Sequence, residues 1–178
     1  MALVVEDGTG KPDAESYVSV TDADAYLAKR GIAGTWAATS GAKEIALIQA
    51  TDYMEQMYRS AWSGSRVRST QTLSWPRTGV YVDGFSVPAT LVPTEVKVAC
   101  VQLAQRAVTE TLLPDIANSS AGGDIVEQSI GELSVRYSEG TTSSLGRPQY
   151  QAIERTLSPF FSNSIPGSGF KVVEVLRA

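Results

Sequence analysis

The sequence predicts a mainly α fold: a small bundle of about four helices carrying one β-hairpin and a flexible C-terminal β-prone tail. Three observations lead there. Apolar residues recur at helical spacing in four segments, each bounded by a cap, a glycine or a proline. Strict alternation places Leu133, Val135 and Tyr137 on one face and Glu132, Ser134 and Arg136 on the other. No internal repeat, low-complexity tract or heptad series points elsewhere.

Residues 1–15 read as a flexible arm, residues 16–160 as the folded domain and residues 161–178 as a tail. After the short extended run Tyr17, Val18, Val20, a first helix opens at Thr21, whose spacing to Asp24 resembles a capping box, and Gly31 stops it. A second helix follows Ser40 and runs to about Tyr58, its stripe formed by Leu47, Ala50, Met54 and Met57 and widened by Tyr53 and Tyr58. That stripe is read as core. The third helix, Thr94 to about Leu112, is introduced by Pro93 and closed by Pro114. Its apolar surface of Val96, Ala99, Cys100, Leu103, Ala107 and Val108 should sit centrally, with Cys100 a buried small hydrophobe. Ile130 and Gly131 mark the turn or bulge of the hairpin, and a last helix from Pro148 carries Tyr150, Ile153 and Leu157 on one stripe before Pro159. Behind a Gly/Ser/Pro hinge, Phe170, Val172, Val173, Val175 and Leu176 make a strand-prone segment. It would either add a strand to another chain or dock on its own domain.

Composition narrows the chemistry. With 178 residues the chain can bury a sizeable core as one domain. No run of about 18 apolar residues is present, so no membrane span is expected, and nothing basic precedes the Ala2 to Val5 patch as a signal peptide would require. One cysteine excludes an internal disulfide, and the absence of histidine removes the usual general base and the commonest transition-metal ligand. The carboxylates Asp13, Asp22, Asp24, Asp52 and Asp83 match no calcium-loop or two-metal spacing. Neither catalytic nor metal-binding residues are assigned, no cofactor is expected, and an enzyme is disfavoured. GTGK at residues 8–11 lacks the strand before and the helix after that a phosphate loop needs, and is read as a disordered start.

Net charge is −4, yet residues 58–80 hold four arginines and no acid. There, between two turn signals, lies QTLSWPRTGVYVDG, residues 71–84. Arg66, Arg68 and Arg77 with Trp62 and Trp75 could grip a single strand by stacking and phosphate contacts. The other reading is a structural corner: Trp75 packed beneath the chain, Pro76 fixing an extended turn, Asp83-Gly84 closing a small hairpin or loop, and Arg77 in an ion pair within or between subunits.

The order of blocks decides between them. SYVSVTDADAYLAKRG, a lone Trp36, KEIALIQATDYME, AWSGSR, LSWPRTGVYVDG, VPTEVKVACVQLAQRA and GELSVRY together resemble the head-to-tail connector (adaptor) proteins of tailed bacteriophages, of the type labelled DnaT-like single-stranded-DNA-binding domain. The resemblance covers roughly Ser16 to Tyr137, LSWPR with the following DG being its most specific part, and Pro93, Val96 and Lys97 fit the family's entry into the third helix. It implies a ring, usually of twelve copies, that binds the portal protein, extends the channel through which packaged double-stranded DNA passes, and docks a stopper or tail protein. The implied location is the virion neck, after assembly in the bacterial host cytoplasm. Arg66, Arg68, Arg77 and Phe170, Val172, Val173, Val175, Leu176 are then candidate inter-subunit or partner contacts, and Trp75, Pro76, Asp83, Gly84 a structural corner. The alternative is a single-stranded-DNA-binding replication accessory protein.

Overall fold

A computed structural model describes residues 3–113, 127–130, 133–136 and 150–162, with the side chains of 127–136 left aside. Among the described residues there are four α-helices: α1 (Val20–Lys29), α2 (Ser40–Tyr58), α3 (Thr94–Ala107) and α4 (Gln151–Leu157). The fold is mainly α, with small two-stranded antiparallel ladders at its margins.

The apolar stripes put α2 against α3 at the centre. Leu47, Ala50, Tyr53 and Met54 of α2 and Val96, Ala99, Cys100 and Leu103 of α3 are all buried, as the helical spacing requires. The methionine and tyrosine stripe is therefore core. Cys100 lies 3.5 Å from the Thr51 hydroxyl across this interface, and burial pushes its thiol up. α1 is tied to both neighbours. Gln102 donates to the Tyr26 hydroxyl at 3.0 Å, and Asp24 accepts from the Trp36 indole at 2.7 Å and from Lys43 at 2.8 Å.

Three helix boundaries differ from the sequence reading. One is the start of α4, which is at Gln151 and not Pro148 because Tyr150 is a non-helical cap (φ −98°, ψ 68°). α1 begins earlier, with Ser19 rather than Thr21 as cap: the Asp22 amide donates to the Ser19 hydroxyl at 3.1 Å, and that hydroxyl donates back to the Asp22 carboxylate. Both serine and threonine can cap, and Ser19 closes the reciprocal pair two residues sooner. α3 ends at Ala107 instead of near Leu112, and Val108 is exposed. Tyr150, Ile153 and Leu157 of α4 are buried as expected. A single 3-10 turn, Ser158–Phe160, follows and contains Pro159.

The N-terminal residues, expected as a flexible arm, are hydrogen-bonded to the domain from Val4 onward. Val5 bridges Ser16, and the Thr72 amide donates to the Lys11 carbonyl at 3.1 Å. The GTGK loop is ordered for a chemical reason. Its Gly8, Gly10 and Lys11 amides donate to the buried Glu6 carboxylate at 2.8, 2.9 and 2.8 Å, so the anion in this nest is the chain's own. Gly8 has φ +101°, and a Cβ there would sit 2.0 Å from the Thr90 carbonyl oxygen.

The described residues also form three ladders: β1 (Ser65–Arg66) with β2 (Arg77–Thr78), β3 (Tyr81–Val82) with β4 (Phe85–Ser86), and β5 (Glu127–Ile130) with β6 (Leu133–Arg136). The last is the hairpin expected from alternation, with Ile130 facing Leu133 across its end. The Gly131 turn, Tyr137, Pro114, Pro148 and the tail from residue 163 lie outside the described residues. No described helix is long and apolar enough to cross a membrane.

Two outcomes test this packing. Glu6→Ala should lower stability in urea unfolding by about 2 kcal/mol, because three amides, two of them buried, lose a charged acceptor. Cys100 should react with Ellman's reagent only at the rate of global unfolding.

Candidate functional site at the Trp75 corner

Residues 59–93 join α2 to α3, and a connection of this length needs an organised path. It is organised by buried polar side chains. Glu55, near the end of α2, accepts hydrogen bonds from the Ser74 amide at 2.9 Å, from the Ser74 hydroxyl at 2.7 Å and from the Tyr17 hydroxyl. Burial, then the adjoining Glu55 carboxylate, push the Tyr17 phenol well above its ordinary value, so it remains a donor. The same oxygen accepts from the Trp75 amide at 3.3 Å. Gln71 is buried as well: its amide nitrogen donates to the Leu73 and Pro76 carbonyls at 2.8 and 3.1 Å, and its oxygen accepts from the Arg68 amide at 2.9 Å.

Trp75 is fully buried. Its ring meets Trp62 and Phe160 edge-on, each with centroids 5.6 Å apart, and Trp62 in turn lies 4.9 Å from Phe161. The Trp75-Pro76 peptide is cis. Phe160 and Ser162 are laced to the corner through the Ser63 amide donating to the Phe160 carbonyl and the Ser162 amide donating to Ala61, both at 2.8 Å. These tryptophans are therefore closed to a stacking base.

Among the described residues Arg77 has no ion-pair partner, in place of the pairing within the chain that was one expectation for it. Its guanidinium donates to four backbone carbonyls: Ser63 at 2.6 Å, Gly64 at 2.6 Å, Ser74 at 3.2 Å and Trp62 at 3.4 Å. The physical reason is supply. The Ser63–Gly64 turn and the Ser74 bend aim peptide oxygens inward that need donors, and the five N–H groups of one arginine answer them together. Burial lowers the Arg77 pKa while the Tyr17 and Glu55 groups of the same corner oppose that, and a guanidinium stays a cation. Gly64 can present its oxygen there because it adopts φ +67°, where a Cβ would lie 2.2 Å from the Thr78 oxygen.

The remaining site residues are placed differently. Arg66 is half-buried and donates to the Gln71 carbonyl at 2.9 Å, whereas Arg68 and Arg59 are exposed. Asp83 (φ +51°) and Gly84 (φ +83°) form the two-residue turn between β3 and β4, as the Asp-Gly pair leads one to expect. The hairpin brings out two residues that sequence reasoning passed over, Tyr81 at 67% and Phe85 at 78% exposure. The signal was available: a two-residue turn fixes register, so the residues flanking Asp83-Gly84 had assignable faces. Phe170, Val172, Val173, Val175 and Leu176 lie outside the described residues.

Among the described residues no cluster of ligating side chains could hold a metal ion. A family model described as "Putative DnaT-like ssDNA binding protein" matches residues 1–178. The chain belongs to this DnaT-like family. No curated protein and no solved structure matches it. In this DnaT-like chain, then, the LSWPR block is a buried scaffold.

The corner carries a direct test. Trp75→Ala should cost about 3–5 kcal/mol, and Arg77→Met at least about 2 kcal/mol through carbonyls left without donors. Both should appear as lower urea midpoints.

Proposed function

We propose that the chain acts by binding, without catalysis, and that its ligand is single-stranded DNA. Membership of the DnaT-like family over the whole chain is the observation that carries this reading. Local charge supports it: residues 58–92 hold Arg59, Arg66, Arg68 and Arg77 against the single acid Asp83, in a protein of net charge −4. With Trp62, Trp75 and Arg77 buried, phosphates would be met by Arg59, Arg66 and Arg68, and a base would stack on the exposed ring of Tyr81. Such a footprint is small, so affinity should be modest and sensitive to salt.

The experiment is fluorescence anisotropy with a short labelled oligothymidylate at low salt. Binding should weaken as salt rises, Arg68→Ala should lower the slope of log K against log salt by about 0.7, and Tyr81→Ala should cost about 1–3 kcal/mol for the lost stack. No binding at low salt would overturn the reading.

A second reading has its own support. The order of blocks shared with tailed-phage connectors, an acidic chain with no histidine, and exposed apolar side chains on the hairpin all suit a virion head-to-tail adaptor. It would be a ring, of twelve copies in that family, bound to portal and to a stopper or tail protein, with DNA sliding past walls that avoid tight phosphate contacts. Native mass spectrometry or negative-stain images, with and without portal, decide it by showing rings or monomers alone.

A further inference from the structure

The β3–β4 hairpin is incompletely covered on its inner face. Val82 and Phe85 are cross-strand partners and so share one face, while Tyr81 and Ser86 share the other. Val82 packs against the core, and Phe85 continues the same face outward at 78% exposure, leaving an apolar ledge beside the body of the domain. Among the described residues β3 and β4 pair only with each other, so both outer edges offer backbone groups without ladder partners. This pairs an exposed phenylalanine with open strand edges, an arrangement that a strand with apolar side chains would cover.

The chain itself supplies such a strand at the right place. β3 lies against the Ser158–Phe160 turn, and the described chain ends at Ser162, fixed there by its bond to Ala61. Sixteen residues follow, 163–178, and seven of them, NSIPGSG, precede the apolar run FKVVEVL at 170–176. Seven residues reach as far as about 24 Å, while the hairpin extends only about 10 Å from Val80 to its turn. Lys171 and Glu174 balance within the segment and Arg177 follows it directly, so a base at either end is available to the single hairpin charge, Asp83. We propose that residues 170–176 of the same chain dock along the β3–β4 hairpin and cover Phe85. The docking uses the face opposite Tyr81, so it stands apart from the DNA reading and is tested without DNA.

Hydrogen exchange by mass spectrometry on the full chain is the test. Amides within 170–176 should exchange at least tenfold more slowly than an unstructured peptide, equally at low and high protein concentration. Phe85→Ser, a change at an exposed site that should leave the thermal midpoint within a few degrees, should abolish that protection. Removal of residues 169–178 should in turn speed exchange in 81–86. Unprotected amides in 170–176 would overturn the proposal, as would protection that survives Phe85→Ser. Protection that grows with protein concentration would also overturn it, since the occupant would then be the tail of a second copy.

Discussion

One guanidinium surrounded by peptide oxygens holds the connection between α2 and α3 in place. Arg77 draws the Trp62–Gly64 stretch and the Ser74 carbonyl to a common point, and Trp62, Trp75 and Phe160 then close around the polar centre. Each part needs the others. Without the arginine, inward carbonyls would be desolvated with nothing to donate to them; without the rings, water would compete for the same oxygens. Glu55 and Tyr17 extend this network to α2 and to the N-terminal segment, so the connecting loop is tied to both.

That arrangement explains why the most recognisable stretch of the sequence is buried. A tryptophan beside an arginine has two physical uses, since an indole can stack on a base or fill a core, and a guanidinium can meet a phosphate or satisfy carbonyls. Adjacency in sequence does not separate the two. Burial does, and it depends on Phe160 and Phe161, which lie some eighty residues further along the chain. No local pattern could report them.

What was legible follows the same division between local and distant causes. The four helices and the β5–β6 hairpin rest on periodicity within one segment, so Leu47, Ala50 and Met54, or Val96, Ala99 and Leu103, announce their buried faces directly. The Asp83-Gly84 turn was readable because positive φ at both positions restricts the residue types. Cap positions were harder: Ser19 and Thr21 are both competent, and only the hydrogen bonds distinguish them. The N-terminal loop and the Arg77 cage were not readable, because a glutamate filling a nest of glycine amides and an arginine spending its donors on carbonyls look like ordinary surface charges in a linear sequence.

The use of charge inside the molecule bears on what remains for binding. Glu6 fills its own amide nest and Arg77 is consumed by carbonyls, so two of the features most suggestive of anion or phosphate recognition are already satisfied internally. Of the four arginines in residues 58–80, Arg59 and Arg68 are exposed and Arg66 is half-buried. Phosphate binding scales with the number of cations free to displace counterions, not with the number in the sequence. On the proposed reading, two open arginines and one partly open among the described residues would hold a flexible strand through a stack on Tyr81, with fewer cations than a grip on a duplex calls for. The same economy of free charge would let duplex DNA slide past without being held. Hence a ligand preference for single strands and a passive channel wall impose compatible demands on this surface, and the aromatic ring on the outer face of the hairpin is where the two diverge.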